Sequence, residues 1–145
     1  YAISLRLVGS EMCRRDRINS TDLVFIMSDV YKNRSIVLAN TAQTAIYTVP
    51  TASASTTPPQ KPVQAVVKSI RICNATGGAV TADVVNTDAS VGSDIKLTSA
   101  LSIAANTATE ILEQPLVLED SDAIKVTAGS GGALHVIISV LEISE

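Results

Sequence analysis

Few side chains in this chain could perform chemistry, and the densest group of them is acidic. Glu119, Asp120 and Asp122 lie within four residues of one another and could supply the oxygen ligands that Ca²⁺ prefers. Turns also favour Asp and Ser and stay in contact with water, so the same cluster is more typical of an ordinary surface turn. Calcium binding at these three residues is left open, and no metal ligand is predicted.

The other titratable candidates do not assemble into a catalytic set. His135 is the only histidine, and its same-face neighbours on a predicted strand are Ile137 and Ser139. Glu110 and Glu113 are three residues apart, so on a strand they point to opposite faces and make a poor acid–base pair. The chain also has no Gly-x-Ser-x-Gly nucleophile elbow. We therefore predict no enzymatic activity, no catalytic residue and no cofactor.

The two cysteines and the three asparagine triplets have simpler interpretations. Cys13 and Cys73 with a single histidine provide no zinc spacing, and Cys73 is predicted to be a small buried hydrophobic residue. Asn19, Asn33 and Asn74 each begin an Asn-X-Ser/Thr triplet. Such triplets are common by chance, and nothing in the sequence indicates a secretory route.

Composition narrows the class of protein. The 145 residues carry a formal net charge of -3, which argues against a nucleic-acid-binding protein. Hydrophobic residues make up 46% of the chain but aromatic ones only 3%, so the core material is mostly small and aliphatic. No apolar run is long enough to cross a membrane and no signal peptide is recognisable, so synthesis in the cytoplasm is expected.

The first 26 residues differ in character from the rest. They contain four of the eleven Lys and Arg residues, at Arg6, Arg14, Arg15 and Arg17. A basic arm that touches nucleic acid is one interpretation. However, residues 8–17 resemble a translated sequencing adapter, and Met27 looks like a natural start. We expect 1–26 to be a poorly packed extension that is not native or has a misassigned start, with a genuine arm as the alternative. Residues 27–145 are then the domain.

Within that domain, short segments rich in Val, Ile and Thr alternate with small polar turns. The predicted strands are 35–39, 44–49, 66–74, 80–85, 95–97, 101–104, 109–112, 116–118, 123–128 and 134–143. The pattern predicts an all-β fold: a single antiparallel β-sandwich, jelly-roll-like, of about seven or eight strands.

Three local features refine this prediction. Residues 74–78 contain two glycines and suggest a hairpin between the strands on either side. The closing strand is almost wholly apolar, so we expect it to be central, covered on both faces and paired with the strand at 66–74. Residues 51–62 are rich in Pro, Ser and Thr and form a long loop.

The order of these blocks resembles a known family. Residues 46–50, 67–74, 102–107, 115–119, 122–126 and 140–143 together are similar to small β-sandwich virion structural proteins of tailed bacteriophages, over about residues 34–144. The resemblance implies a non-enzymatic virion structural protein, such as a capsid decoration or a tail or fibre component. It carries no catalytic residue that could be transferred. The 51–62 loop is longer than the usual link.

The partners follow from the same resemblance. A homo-oligomer, with a trimer favoured, and other virion proteins are expected, with no nucleic acid and no membrane, and the protein would reside in the virion after synthesis in the bacterial host cytoplasm. The alternative is a carbohydrate- or receptor-binding sandwich, which would need a concave patch with Tyr31 or Tyr47 beside Asn or Asp side chains. The shortage of aromatic residues counts against it.

Overall fold

The computed structural model describes residues 29–51 and 63–144, and these residues form an all-β body. The strands are β1 (Val30–Val37), β2 (Thr44–Thr48), β3 (Val63–Asn74), β4 (Val80–Asp88), β5 (Ser93–Ile103), β6 (Ala108–Glu110), β7 (Leu116–Leu118), β8 (Ala123–Ala128) and β9 (Leu134–Ser144). All strand pairs are antiparallel. The predicted all-β sandwich is confirmed.

The strands form two sheets that share one hydrophobic core. Sheet A has the order β1-β9-β3-β6, with β7 also paired to β3, and sheet B has the order β2-β8-β4-β5. β6 and β7 lie one after the other along the same side of β3, so they are two halves of an interrupted strand. The pairs β1–β9, β2–β8, β3–β6/β7 and β4–β5 are then nested, like one long hairpin rolled around a core. This is a jelly roll of eight strand positions.

Alternation of side chains decides which face of β3 enters the core. Val67, Ile70 and Ile72 are fully buried, although the step from Val67 to Ile70 breaks the period of two. The register against β9 shifts between Val67 and Ser69, so Lys68 is the extra residue of a bulge. This extra residue returns Ile70 and Ile72 to the core face, where Asn74 joins them as predicted.

β9 is the centre of sheet A, with β1 on one side and β3 on the other. Its position and its pairing with β3 are as predicted, but the prediction that both of its faces are covered is wrong. Leu134, Val136 and Ile138 are buried, whereas Ile137 on the opposite face is 43% exposed. An apolar run shows that a strand is central and does not show what lies over its second face.

The predicted hairpin at residues 74–78 is also wrong, because β3 belongs to sheet A and β4 to sheet B. The chain crosses between the sheets here, and the buried Asn74 holds the crossing. Its amide nitrogen donates to the carbonyl oxygens of Gly78 and Ile103 at 2.8 and 3.0 Å, and its Oδ1 accepts the Thr76 N–H at 3.0 Å. The same types of turn residue occur in hairpins and in connections that cross between sheets, so the spacing of these residues in the sequence does not distinguish the two.

Two further predictions fall outside the described ranges. Residues 1–26 and nearly all of the 51–62 loop belong to the parts of the chain that the structure does not describe, so both stay predictions. Across residues 29–51 and 63–144, there is no helix of the length and apolarity needed to cross a membrane.

Candidate interaction surface

The outer face of sheet A carries a line of apolar side chains that crosses every strand position. Tyr31 on β1 is in register with Leu141 on β9, Leu141 with Val66 on β3, and Val66 with Val117 on β7. We call these four residues the apolar row. Leu141 and Val66 are half-buried, while the two ends are open, with Tyr31 71% and Val117 59% exposed.

The row has a cation at one end. Lys68, the bulge residue of β3, reaches across β9 and places its Nζ 5.6 Å from the centre of the Tyr31 ring. An ammonium over a ring face is a favourable contact worth about 0.5–1 kcal/mol at an exposed site. It fixes the ring against the sheet while leaving most of the ring open to a partner.

The same face carries further exposed apolar groups around the single histidine. An open depression of about 240 Å³ between β1 and β9 is lined by residues that include Val37, His135 and Ile137. Val37 is 50% exposed, and Cys73 is in register with His135 on the other side. Cys73 is therefore half-buried on an outer face and does not lie in the core as predicted. His135 is exposed on this face.

The two edges of sheet A differ in the length and regularity of their strands. β1 forms one edge and pairs with β9 over all eight residues without a register shift. β6 and β7, three residues each and separated by a segment that contains Pro115, form the other edge. A long, regular edge strand presents a row of free main-chain groups with which another strand can pair. β1 is such a strand.

A buried polar cluster links β1 and β9 of sheet A to β2 of sheet B. Glu142 on β9 is 8% exposed; its Oε1 accepts the Tyr47 hydroxyl from β2 at 2.8 Å, and its Oε2 lies 2.6 Å from the Lys32 ammonium on β1. Burial raises the pKa of Tyr47, and the hydrogen bond to Glu142 raises it further. Tyr47 is only 5% exposed, so it is not available to the sugar-binding patch of the alternative prediction.

The acidic cluster around Asp122 stabilises loops. Asp122 is 6% exposed; its Oδ1 accepts the Ala89 N–H at 2.9 Å and its Oδ2 accepts the Glu119 N–H at 3.0 Å. Its own carbonyl accepts the Val49 N–H at 2.8 Å. Both carboxylate oxygens are thus used by the backbone. Within residues 29–51 and 63–144, no group of three His, Cys, Asp or Glu side chains is placed to hold a metal ion.

Other carboxylates likewise accept hydrogen bonds from nearby turns and strand ends. Glu110 accepts the Ile70 N–H at 2.7 Å beside the β3 bulge, and it forms no bond to Glu113. In the β4–β5 hairpin, the Ser90 hydroxyl lowers the pKa of Asp88, and the Thr87 hydroxyl lowers the pKa of Asp94. Each of these side chains closes a turn or a strand end, and none converges on a common pocket.

The sequence does not predict the apolar row. Tyr31 is a candidate for stacking on a sugar in the alternative prediction, but nothing in the sequence connects it with Leu141, Val66 and Val117, which lie far apart in the chain. Register between strands brings the four together, and register is set by bulges and loops that the sequence pattern does not reveal. The one signal present was the excess of apolar residues in β9, which has more than one buried face requires.

Comparison with known proteins gives distant structural neighbours only. No protein-family model matches the chain, and no curated protein matches it in sequence. A structure of the pili that form Bacillus endospore appendages aligns with a TM-score of 0.45 and 11% identity, covering 81% of this chain and 89% of the other. Infectious bursal disease virus strain Gx gives 0.41 and 9%, over 82% of this chain and 30% of the viral one. The CBM22-1–GH10 modules of a Clostridium thermocellum xylanase give 0.32 and 11%, over 83% and 29%.

Proposed function

We propose that this protein is a non-enzymatic bacteriophage virion structural protein, such as a capsid decoration or a tail or fibre component, that acts by self-association and by contact with other virion proteins. The apolar row on the outer face of sheet A carries the proposal. It is a line of four apolar side chains, half-buried in the middle and exposed at both ends, that reaches both edges of one sheet. The resemblance of residues 34–144 to tailed-phage sandwich proteins supplies the virion context.

The chemistry of the described residues fits a building part. His135 is solitary, the Asp122 carboxylate is occupied by main-chain amides, and Tyr47 is sealed by Glu142. Surface apolar groups are instead concentrated: four of the seven exposed large hydrophobic residues in the described ranges lie on the outer face of sheet A (Tyr31, Val37, Val117 and Ile137). Contiguous exposed apolar groups on a small protein mark contact sites.

Light scattering on the full chain over a range of concentrations tests the proposal. We expect a defined homo-oligomer, with a trimer favoured, or co-sedimentation with purified phage shells. The Val117→Asp variant should weaken both, because it places a charge on the row, whereas Thr127→Asp on the outer face of sheet B should not. A chain that stays monomeric at high concentration and ignores the shells would contradict the proposal.

One observation keeps a carbohydrate-binding module as a second candidate. Tyr31 presents an open ring on a sheet face, two residues from Asn33 on the same strand face. A ring of this kind can stack on a sugar. Glycan-array binding that is abolished by Tyr31→Ala and kept by Tyr47→Phe would favour this function, and a blank array would remove it.

A further inference from the structure

We propose that copies of the chain associate head to tail through the two edges of sheet A, with β1 of one copy pairing antiparallel to β7 of the next and Tyr31 opposite Val117. The inference rests on the proposed self-association and specifies its contact. Its occupant is a second copy of this chain, and the reasons are the free main-chain groups, the continuity of the apolar row and the charges on the two edges.

The free main-chain groups can be assigned by following the alternation of an antiparallel ladder. The N–H of Leu38 donates to the Leu134 carbonyl, so the even-numbered residues of β1 direct their main-chain N–H and C=O groups towards β9. The odd-numbered ones, Tyr31 among them, therefore direct their N–H and C=O groups to the open edge. By the same rule, Leu141 faces β3 and pairs with Val66 through hydrogen bonds.

The alternation then continues to the far edge. The main-chain N–H and C=O groups of Val66 point towards β9, so those of Val67 and Ala65 point towards β7. Val117 is opposite Val66, and its N–H and C=O groups therefore point away from β3. A hydrogen bond on the other side of the bulge agrees with this alternation, since the Ile111 N–H donates to the Ile70 carbonyl on the β6 side. Tyr31 and Val117 thus carry free main-chain groups at opposite edges of the same sheet.

Joining the two edges would extend the apolar row from one copy into the next. Within one copy, β7 runs antiparallel to β1, because three antiparallel pairings separate them. A neighbouring copy added in the same orientation therefore brings β7 beside β1 in the sense that the ladder requires. The two most exposed members of the row, Tyr31 and Val117, would then cover each other.

Charge favours the same arrangement. Two of the six Lys and Arg residues in the described ranges lie on the edge strand β1 (Lys32 and Arg34), while residues 113–120 at the β7 edge contain three acidic residues and no basic one (Glu113, Glu119 and Asp120). With Tyr31 opposite Val117, moving along β1 towards Arg34 corresponds to moving from β7 back towards Glu113. In this register Arg34 of one copy is opposite Gln114 of the next, one residue from Glu113.

The alternative self-pairings are less favourable. If two β1 strands paired across a two-fold axis, Lys32 and Arg34 of one copy would lie opposite or diagonal to the same residues of the other, and like charges at such positions destabilise a sheet. β2 and β5, the edges of sheet B, contain register shifts, and β5 also has Ala100 at a φ of 48°. The contact inferred here is heterologous, so it closes into a ring or continues as a fibre.

Disulfide trapping tests the contact in the full chain with Cys13→Ser and Cys73→Ser. A hydrogen-bonded antiparallel pair has Cα atoms about 5.5 Å apart, a separation that a disulfide can bridge. We expect a mixture of the Tyr31→Cys and Val117→Cys variants, one of them tagged, to give a mixed disulfide-linked dimer under mild oxidation. Each variant alone should give little. The variant with both substitutions should give a ladder that stops at three copies if the ring is a trimer.

Three outcomes would overturn the inference. Tyr31→Cys alone cross-linking as fast as the mixture would mean that two β1 strands pair symmetrically. An oligomer seen by light scattering without any cross-link in the mixture would place the contact elsewhere and leave the proposed function standing. A monomer at every concentration would overturn both.

A charge exchange gives a second readout that does not depend on cysteine chemistry. Arg34→Glu and Glu113→Arg should each weaken association about two- to fivefold, the usual range for an ion pair at the rim of an interface, and the double variant should recover the loss. Lys125→Glu, on the outer face of sheet B, is the control and should change nothing. Losses that simply add in the double variant would count against proximity of the two side chains.

Discussion

The two sheets contribute alike to the core and differ on their outer faces. On sheet A, the outer side presents Tyr31, Val117, Ile137 and Val37 to solvent. On sheet B, the residues in register between β4 and β8 on the outer side are Asp83 with Thr127 and Val85 with Lys125, and Val85 is buried. Between β4 and β8, sheet B therefore places polar groups towards water and covers the apolar Val85, and its exposed Ile95 lies on the edge strand β5, whereas sheet A leaves several apolar residues open.

This difference distinguishes the residues that stabilise the fold from those that are available for contact with a partner. Both inner faces are filled by Val, Ile and Leu, as a sandwich of this size requires. The outer face of sheet A adds apolar groups that the core does not use, and it lies beside the long regular edge of β1. If both faces of sheet A served only to stabilise the fold, we would expect its outer face to resemble the outer face of sheet B. The contrast can be tested by changes on each side of it.

The largest effect is expected inside sheet A, at neighbouring residues of β9. Ile138→Ala should lower the free energy of unfolding by about 2–5 kcal/mol, because Ile138 is fully buried and the change leaves a cavity. Ile137→Ala, on the exposed face, should cost below about 1 kcal/mol. Urea unfolding at low protein concentration measures both. Equal losses would show that the outer face is part of the fold's stability and would break the comparison.

The next effect concerns the polar end of sheet B. Asp122→Ala should cost about 1–3 kcal/mol, because it leaves the part-buried N–H groups of Ala89 and Glu119 without the charged acceptor that the buried Asp122 side chain provides. Asp120→Ala is the matched control, since that side chain holds no main-chain amide, and it should cost little. Thermal unfolding without and with added Ca²⁺ also addresses the open question at this cluster. Stabilisation by Ca²⁺ that Asp122→Ala removes would contradict a purely structural role.

A smaller effect links the two sheets through Tyr47. Its pKa is raised in the folded protein by burial and by Glu142, above the ordinary value near 10. The stability this group contributes is therefore complete below pH 10 and falls as pH rises further, because the unfolded chain loses the proton first. Wild type should lose up to about 1.4 kcal/mol more per pH unit above pH 10 than Tyr47→Phe. Parallel pH profiles for the two proteins would contradict the buried hydrogen bond.

The sequence predicted the class of fold because its signals are local. Strand composition, turn residues and the interruption at Pro115 placed most strands, and the apolar run of β9 located the centre of sheet A. β1 begins earlier than predicted, at Val30, because its exposed charged residues mask the strand pattern. The prediction of two separate short strands at 95–97 and 101–104 is wrong, because they belong to one irregular strand, β5, whose register shifts interrupt the alternation of its side chains.

What the sequence could not supply was long-range register. The crossing at Asn74 resembled a hairpin because the side-chain bonds to Gly78 and Ile103 are invisible in the spacing. The apolar row needs four strands aligned to within one residue, and a bulge at Lys68 sets part of that alignment.

Hydrogen–deuterium exchange followed as a function of protein concentration tests the central claim, that sheet A is the contact side. At high concentration, the edge amides of Tyr31, Asn33 and Val117 should exchange more slowly than at low concentration, because a neighbouring strand accepts their hydrogen bonds. Amides of β2 and β5, the edges of sheet B, should exchange at the same rate under both conditions. Protection confined to β2 or β5, or no dependence on concentration at any amide, would contradict the claim.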